Sequence, residues 1–244
     1  MSITIAAASS ATQAMAWNDA THMAIVKAAG LDDYAYLAVG ADMAKEKAGA
    51  AENGNHYHNL PRGVSVTPEM VLGQVADYNR RGDADGHLYG AIIASIGDYI
   101  RRGASGKYDR YPFGYAAHYI GDLSMPFHNM VYDAFNKANH AANDGIVEGV
   151  PSRDESTDRK VARIAAEIRK RMKNLTPVSL SSDMGRFYWE LAAQIAAIAN
   201  RASALGYAMR DAVPQRTRLT EEEAYTQLAQ SALLLKAVAA AVMR

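Results

Sequence analysis

Hydrophobic and polar residues recur along this chain with the repeat of α-helices almost throughout. Alanine is abundant, runs of β-branched residues are rare, and the two-residue alternation of a strand is nearly absent. Two helix starts are indicated by capping residues. Thr67 precedes a proline, Pro68, which favours the first turn of a helix, and Thr220 precedes three glutamates, which suit the positive end of the helix dipole. The pattern predicts helices over Ala20–Ala29, Asp33–Ala48, Pro68–Arg81, Ala84–Arg102, Tyr111–Leu123, His128–Lys137, Asn139–Glu148, Glu155–Lys173, Ser182–Arg210 and Thr220–Met243.

The breaks between these segments are short, which predicts a single domain. They fall at 53–55, 61–63, 103–107, 151–152 and 176–177, and none resembles a long flexible linker. With 244 residues, 49% of them hydrophobic, the chain is large enough for one substantial core. We therefore expect an all-α, single-domain, multi-helix bundle over 17–244, with 1–16 as a separate leader.

The charge balance and the cysteine content limit which functions and which kinds of metal site the chain can have. The chain has 26 basic and 26 acidic residues, whereas a protein that binds nucleic acid through overall charge is usually clearly basic. Strong adsorption to a membrane surface is not predicted by this balance either. Because there is no cysteine, disulfides and thiolate metal sites are excluded. Any zinc would be held by histidine, carboxylate or backbone atoms, which suits a catalytic site better than a structural one.

The N-terminal leader has two interpretations. Residues 1–16 are small and apolar, and they end in Ala14-Met15-Ala16 directly before Trp17. This ending resembles a signal-peptidase cleavage site, but the segment lacks a basic start and its apolar core is short. A helical or disordered tail is an equal alternative. Cleavage before Trp17 predicts a secreted or periplasmic protein, and an intact leader predicts a cytoplasmic one.

Residues able to bind metal cluster in the middle of the chain. His118 and Asp122 are four residues apart, which places both side chains on one helix face, and His140 and Asp144 repeat that spacing. His128 follows a proline that ends or kinks the first helix, so it can turn towards the same pocket. One such pair is typical of a surface ion pair, but two pairs with a histidine between them favour a metal site between helices.

The same stretch resembles a known family. His118-Tyr119-Ile120-Gly121-Asp122, followed by Met125-Pro126-Phe127-His128, matches the H-[FY]-x-G-D-x-x-x-P-x-H motif of the zinc-dependent phospholipase C and fungal-type single-strand nuclease superfamily. Met125 stands where the family has glutamine, a departure that bears on hydrogen bonding around the ligands. The resemblance covers most of 17–148, and the downstream helices match only in general character.

Upstream residues match the rest of the family pattern. Processed family members begin with a Trp whose amino group and carbonyl bind zinc, followed by a His, as in Trp17 and His22. They then have an Asp and, after a short stretch, a His in an H-[FY]-x-[DN] context, as in Asp42 and His56. The resemblance implies three zinc sites: one with Asp42, His56, His118 and Asp122; a second with Trp17, His22 and Asp122; and a third with His128, His140 and Asp144.

The implied activity is phosphodiester hydrolysis with up to three zinc ions, in which a zinc-bound hydroxide attacks phosphorus in line. Asp42 takes the role of orienting or deprotonating the attacking group. A phospholipase C is favoured by the chain length, the lack of cysteine and the short His128-to-His140 spacing. The alternative, a single-strand-specific nuclease, is favoured by the Trp17-to-His22 spacing and by Asp144, where phospholipases typically have glutamate.

A third alternative belongs to another class, a non-catalytic helical binding protein stabilised by metal. For the enzyme, the resemblance implies a phospholipid or other phosphodiester substrate, with transient contact to a membrane surface. The nuclease alternative implies nucleic acid instead. We expect a monomer.

Zinc binding at the second site depends on cleavage before Trp17, because the nitrogen of an uncleaved peptide bond is a poor zinc ligand. We predict that the chain starting at Trp17 binds one more zinc ion, or binds it more tightly, than the chain that retains residues 1–16. Metal analysis of both purified forms after zinc loading measures this difference. Equal stoichiometry in the two forms would contradict the prediction.

Overall fold

The computed structural model describes residues 17–103, 108–149 and 155–243. Within these ranges the regular structure is helical and contains no strand, which confirms the all-α expectation. The leader at 1–16 lies outside the described residues. The α-helices of the described ranges are α1 (Asp19–Ala28), α2 (Gly40–Ala48), α3 (Pro68–Gly73), α4 (Leu88–Gly103), α5 (Arg110–Leu123), α6 (Ala134–Asp144), α7 (Thr157–Met172), α8 (Met184–Asp211) and α9 (Glu221–Val242).

Both predicted helix starts are confirmed by their hydrogen bonds. The Thr67 hydroxyl accepts from the backbone N–H of Met70 at the start of α3. Thr220 and Glu223 form a reciprocal capping box at the start of α9, in which each side chain accepts from the backbone of the other residue. These contacts satisfy N–H groups that have no partner inside the helix.

The predicted helices His128–Lys137 and Asn139–Glu148 are wrong. The structure has a 3-10 turn at Pro126–His128, an irregular stretch, and then the single helix α6. The side chain of Asp133 accepts from the backbone N–H of Asn136 and thereby fixes the start of α6. His140 and Asp144 therefore share one helix, as their spacing requires, while His128 lies on the turn before it.

Three other predicted helices are shorter or more irregular than expected. The first part of Asp33–Ala48 is a 3-10 segment over Asp32–Val39. Pro68–Arg81 ends as an α-helix at Gly73 and continues as a 3-10 turn over Gln74–Asp77. Ala84–Arg102 begins only at Leu88, because Gly86 has a φ of +70° and a Cβ there would lie 2.2 Å from the Tyr57 carbonyl oxygen.

Helix α5 is the centre of the molecule. It packs against α4, α1, α2, α8 and α9, and its residues are buried on almost every side from Pro112 to Leu123. Helix α1 packs between α5 and α7, and α6 follows the turn that closes the end of α5. A polar side chain on α5 is therefore enclosed by several other elements. No helix in the described ranges combines the length and apolar character needed to cross a membrane.

Close packing at Gly90 of α4 generates a stability prediction. A Cβ at Gly90 would lie 2.2 Å from the carbonyl oxygen of Gln74, a backbone atom that cannot rotate away. We expect Gly90→Ala to lower the free energy of unfolding by about 1–3 kcal/mol, because the backbones must separate. Urea denaturation followed by circular dichroism measures the change.

The matched control is Gly73→Ala in α3, where a Cβ has no neighbour within 4 Å. That variant should be as stable as the parent or slightly more stable, because alanine favours a helix more than glycine does. Equal unfolding midpoints for the two alanine variants would refute the packing argument.

Candidate metal centre

Eight of the predicted ligands lie together in three buried clusters. Within each cluster every residue offers a nitrogen or carboxylate oxygen, and these atoms lie within 4.8 Å of one another. The residues come from α1, α2, α5 and α6 and from turns between helices, so distant parts of the sequence meet at one place. The clusters are His22, His118 and Asp122; Asp42, His56 and His118; and His128, His140 and Asp144.

Four atoms around His118 have the spacing of tetrahedral metal ligands. His56 Nδ1 lies 3.0 Å from Asp122 Oδ2 and 3.2 Å from His118 Nε2. His118 Nε2 lies 3.3 Å from Asp122 Oδ2, and Asp42 Oδ1 lies 3.7 Å from both imidazole nitrogens. Ligands that each lie about 2.0–2.1 Å from a tetrahedral zinc are separated by roughly 3.3 Å. Asp42, His56, His118 and Asp122 therefore fit a single zinc ion.

Asp122 connects this group with His22. Its second oxygen, Oδ1, lies 3.3 Å from His22 Nε2 and 3.8 Å from His128 Nδ1. The His22 ring stacks on the His118 ring with their centroids 3.8 Å apart. A Cβ at Gly121 would lie 2.6 Å from His22 Nδ1, so glycine leaves the space that the ring occupies. The two oxygens of Asp122 face different clusters, which is the geometry of a bridging carboxylate.

The third cluster joins α6 to the turn before it. His140 Nε2 lies 3.5 Å from Asp144 Oδ1, one helical turn away. The His128 ring meets the His140 ring edge-on at 4.8 Å, and Phe127 stacks on His140 at 5.7 Å. The three ligating side chains are almost completely buried. A residue from outside α6 thus completes the His/Asp pair that the helix supplies.

Backbone carbonyls determine which nitrogen of two histidines faces the clusters. His118 Nδ1 donates to the carbonyl of Ala38 at 2.6 Å, and His128 Nδ1 donates to the carbonyl of His56 at 2.5 Å. In the neutral form of each ring, Nε2 is therefore the nitrogen without a proton. Hydrogen bonds of this kind fix the tautomer and the orientation of metal-binding histidines.

Burial keeps three of the histidines neutral. It holds the pKa of His22 below its usual value and that of His140 well below it, and it lowers the pKa of His128 to about 4. Burial also raises the pKa of Asp144 well above the usual value of a carboxyl. A neutral imidazole presents a lone pair to a metal ion, so these histidines need no deprotonation before binding.

His118 differs from the other histidines. Burial opposes its charge, but the carboxylates of Asp122 and Asp42 outweigh burial and raise the pKa of His118 to about 9. Burial likewise opposes ionisation of the two carboxyls, yet the pKa of Asp122 lies well below its usual value because of His118 and His128. The pKa of Asp42 is lowered mainly by His118 and Lys45. In the absence of an ion, a proton on His118 balances the carboxylates.

Buried atoms without hydrogen bonds test whether these residues fit a bound metal ion. Within the described residues, eleven buried side-chain nitrogen and oxygen atoms have no hydrogen-bond partner, and all but Trp17 Nε1 and Asn136 Oδ1 belong to the predicted histidine and aspartate ligands. Buried polar atoms are rarely left unpaired in a folded protein, and a bound ion is one of the accepted explanations. The donors are nitrogen and oxygen only, a set that suits zinc. The unpaired atoms of these residues are His22 Nδ1 and Nε2, Asp42 Oδ2, His56 Nε2, Asp122 Oδ1, His140 Nδ1 and Nε2, and Asp144 Oδ1 and Oδ2. Among them, His56 Nε2 faces Glu52 Oε1 at 3.5 Å instead of the other ligands, so a bound ion does not account for it.

Trp17 is fully buried. The backbone N–H of Asn18 donates to the carbonyl of Asp144 at 3.4 Å, which ties the start of α1 to the end of α6. Because the residues before Trp17 lie outside the described range, ligation by its amino group stays a prediction.

Sequence reasoning missed two buried charged residues at the centre. Lys45 Nζ lies 3.2 Å from Asp42 Oδ1, and Glu52 Oε1 lies 3.5 Å from His56 Nε2. Both residues are 5% exposed. Their spacings from the ligands, three and four residues, are those of neighbours on a helix or a tight turn, so the rule that paired His118 with Asp122 applies to them too.

The two histidines without a ligand counterpart lie outside the clusters. His58 is partly exposed, and its Nδ1 donates to the Gly86 carbonyl at 2.8 Å. His87 is completely buried, one residue before α4, with its ring nitrogens 2.8 Å from Asp83 and from Asn55. Although the predicted helix Ala84–Arg102 included His87, tertiary contacts outside α4 bury it and pair both of its nitrogens.

No protein-family model matches the chain, and no curated protein matches it.

Zinc binding should release protons, because the metal must displace the proton on His118. With a pKa of about 9, His118 is protonated at neutral pH, so we expect at least about one proton to be released at pH 7. The apparent zinc affinity should rise with pH up to about pH 9. Calorimetric zinc titrations in two buffers of different ionisation enthalpy measure the number of protons released. Binding heats that are independent of the buffer would contradict this expectation.

Proposed function

We propose that the protein is a zinc-dependent phosphodiester hydrolase of the phospholipase C type, with the helical fold of the phospholipase C and single-strand nuclease superfamily. The observation that carries the proposal is the presence of three adjacent nitrogen- and oxygen-lined clusters, each with a histidine within 3.8 Å of Asp122. A single structural ion would need only one of them. Several adjacent metal positions are the arrangement used by enzymes that cleave phosphate esters.

The metal would be held by the ligand sets described above. When bound, clustered zinc ions neutralise a phosphodiester and lower the pKa of water towards roughly 7. Asp42 Oδ1 faces the histidines, whereas Asp42 Oδ2 has no hydrogen-bond partner among the described residues. That free oxygen supports the role of Asp42 in orienting the attacking water or accepting its proton.

The position of Lys45 supports the proposal that the substrate is anionic. Its ammonium group is buried 3.2 Å from Asp42 Oδ1, so it adds positive charge at the same place. A charge in a site of low dielectric interacts more strongly with a phosphate than it does in water. Lys45 and the bound metal ions would together attract a phosphodiester group to Asp42.

The single-strand nuclease remains the second candidate. It uses the same ligand sets, and it is favoured by Asp144 in the third cluster and by the five-residue spacing between Trp17 and His22. A non-catalytic, metal-stabilised binding protein would retain the metal ions without hydrolysing either substrate.

The test is hydrolysis of phosphatidylcholine and of single-stranded DNA and RNA by the zinc-loaded protein, with Asp42→Asn as the variant. We expect hydrolysis of phosphatidylcholine, and we expect Asp42→Asn to lower kcat/KM by about 100-fold or more, because a positioned proton acceptor contributes about 10²- to 10⁴-fold. Asp33→Asn is the matched control, since Asp33 is exposed on the preceding 3-10 segment. Its kcat/KM should equal that of the parent.

The outcomes separate the three candidates. Cleavage of nucleic acid alone would replace the phospholipase C with the nuclease. A protein that binds zinc at full stoichiometry but cleaves neither substrate would be the non-catalytic alternative. A metal content near zero after loading would overturn all three.

A further inference from the structure

We propose that Glu52 is a positioning residue that fixes His56 as an Nδ1 metal ligand, and that a buried hydrogen-bond network extending to Asp83 holds Glu52 in place. The proposal rests on the metal centre of the proposed function. It assigns a role to residues that neither the metal-binding motifs nor the ligand clusters include.

The two nitrogens of His56 face different partners. Nδ1 lies within 3.0–3.7 Å of Asp122, His118 and Asp42, whereas Nε2 lies 3.5 Å from Glu52 Oε1. This is the reverse of His118, whose Nε2 faces the cluster. For Nδ1 to bind metal, the ring proton must be on Nε2, and Glu52 Oε1 is the acceptor nearest to that atom among the described contacts.

Glu52 has little freedom to move away. The Tyr119 hydroxyl donates to its Oε1 in a short hydrogen bond, and the Asn55 amide donates to its Oε2 at 3.1 Å. Tyr119 is fully buried on α5, directly after the metal-binding His118. The helix that supplies two ligands therefore also fixes the carboxylate behind a third.

Backbone geometry determines the orientation of the Asn55 amide. The backbone N–H of Asn79 donates to Asn55 Oδ1 at 3.2 Å, so this atom must be the oxygen and the other the NH₂ group that reaches Glu52. His87 Nε2 donates to the same Asn55 oxygen at 2.8 Å. The orientation of the Asn55 amide is thus fixed by the backbone N–H of Asn79, which can act only as a donor.

The network ends near the surface. His87 Nδ1 lies 2.8 Å from Asp83 Oδ2, and the Asp83 side chain is 17% exposed. A Cβ at Gly54 would lie 2.7 Å from the His87 ring, so glycine at this position lets His87 approach the backbone of the turn that carries His56. The order of contacts is His56, Glu52, Asn55, His87 and Asp83.

A carboxylate behind a metal-binding histidine selects the tautomer, orients the ring and raises the basicity of the ligand nitrogen. Loss of such a partner typically lowers metal affinity by about 10- to 100-fold. Glu52 therefore contributes to the affinity of the Asp42, His56, His118 and Asp122 site without touching the ion. The His128, His140 and Asp144 site has no contact with Glu52 and should be independent of it.

The test is zinc affinity of the full chain by chelator competition, with Glu52→Gln, which keeps the size of the side chain and removes its charge. We expect one zinc ion to be bound about 10- to 100-fold more weakly, with the remaining zinc unchanged. Glu190→Gln is the matched control, because Glu190 accepts from the backbone N–H of Ser181 and is not part of any cluster in the described part of the chain. Its zinc affinities should equal those of the parent. Unchanged zinc affinity in folded Glu52→Gln would overturn the proposal.

A measurement on the parent protein keeps the proposal testable if Glu52→Gln does not fold. Nitrogen-15 NMR of the zinc-loaded chain should show His56 with its proton on Nε2 and zinc on Nδ1, and His118 with the opposite arrangement. Zinc on Nε2 of His56 would overturn the role of Glu52 while leaving the metal centre intact. A parent protein that binds no zinc would instead overturn the proposed function.

Discussion

The structure depends on one carboxylate that is completely enclosed by protein. Asp122 has no exposed surface, and its two oxygens face different groups of ligands. A buried charge costs several kcal/mol unless partners compensate for it, and removal of one partner leaves the cost in place. His22 and His128, which burial keeps neutral, compensate poorly, whereas a divalent cation between imidazoles and the carboxylate would satisfy both kinds of atom at once. The imidazoles that surround Asp122 at 3.0–3.8 Å are His22, His56, His118 and His128.

The helical scaffold keeps these atoms close to one another. Helix α5 is packed on almost every side, so His118 and Asp122 have few alternative positions. Gly121 admits the ring of His22 from α1, and the Ala38 carbonyl holds the ring of His118. A site of this kind needs ligands whose rotamers are fixed by packing and by outer hydrogen bonds. The contact of Glu52 with His56 extends the same principle to a turn that has no long helix to stiffen it.

Local sequence patterns determined the helical class and the pairs of ligands within one helix. Spacing of four residues places His118 with Asp122 and His140 with Asp144 because a helix advances one turn in about 3.6 residues. Thr220 identified the start of α9 for an equally local reason, since a capping side chain reaches only the next turn. The proposed phosphodiesterase activity rests on motif resemblance, and neither helical periodicity nor composition determines it.

Only the tertiary structure decided which pairs meet and which atoms face each other. The irregular backbone around His128 escaped prediction because Asp133 and the preceding 3-10 turn, rather than periodicity, determine where α6 begins. The approach of Glu52 to His56, and of His87 to Asn55, requires contacts between turns that have no common helical repeat. The sequence therefore specified which residues could bind metal and which of them share one face of a helix. The approach of His22, His56 and His128 to Asp122 came from long-range packing, which brings side chains from helix α1 and from two turns to one buried charge on α5.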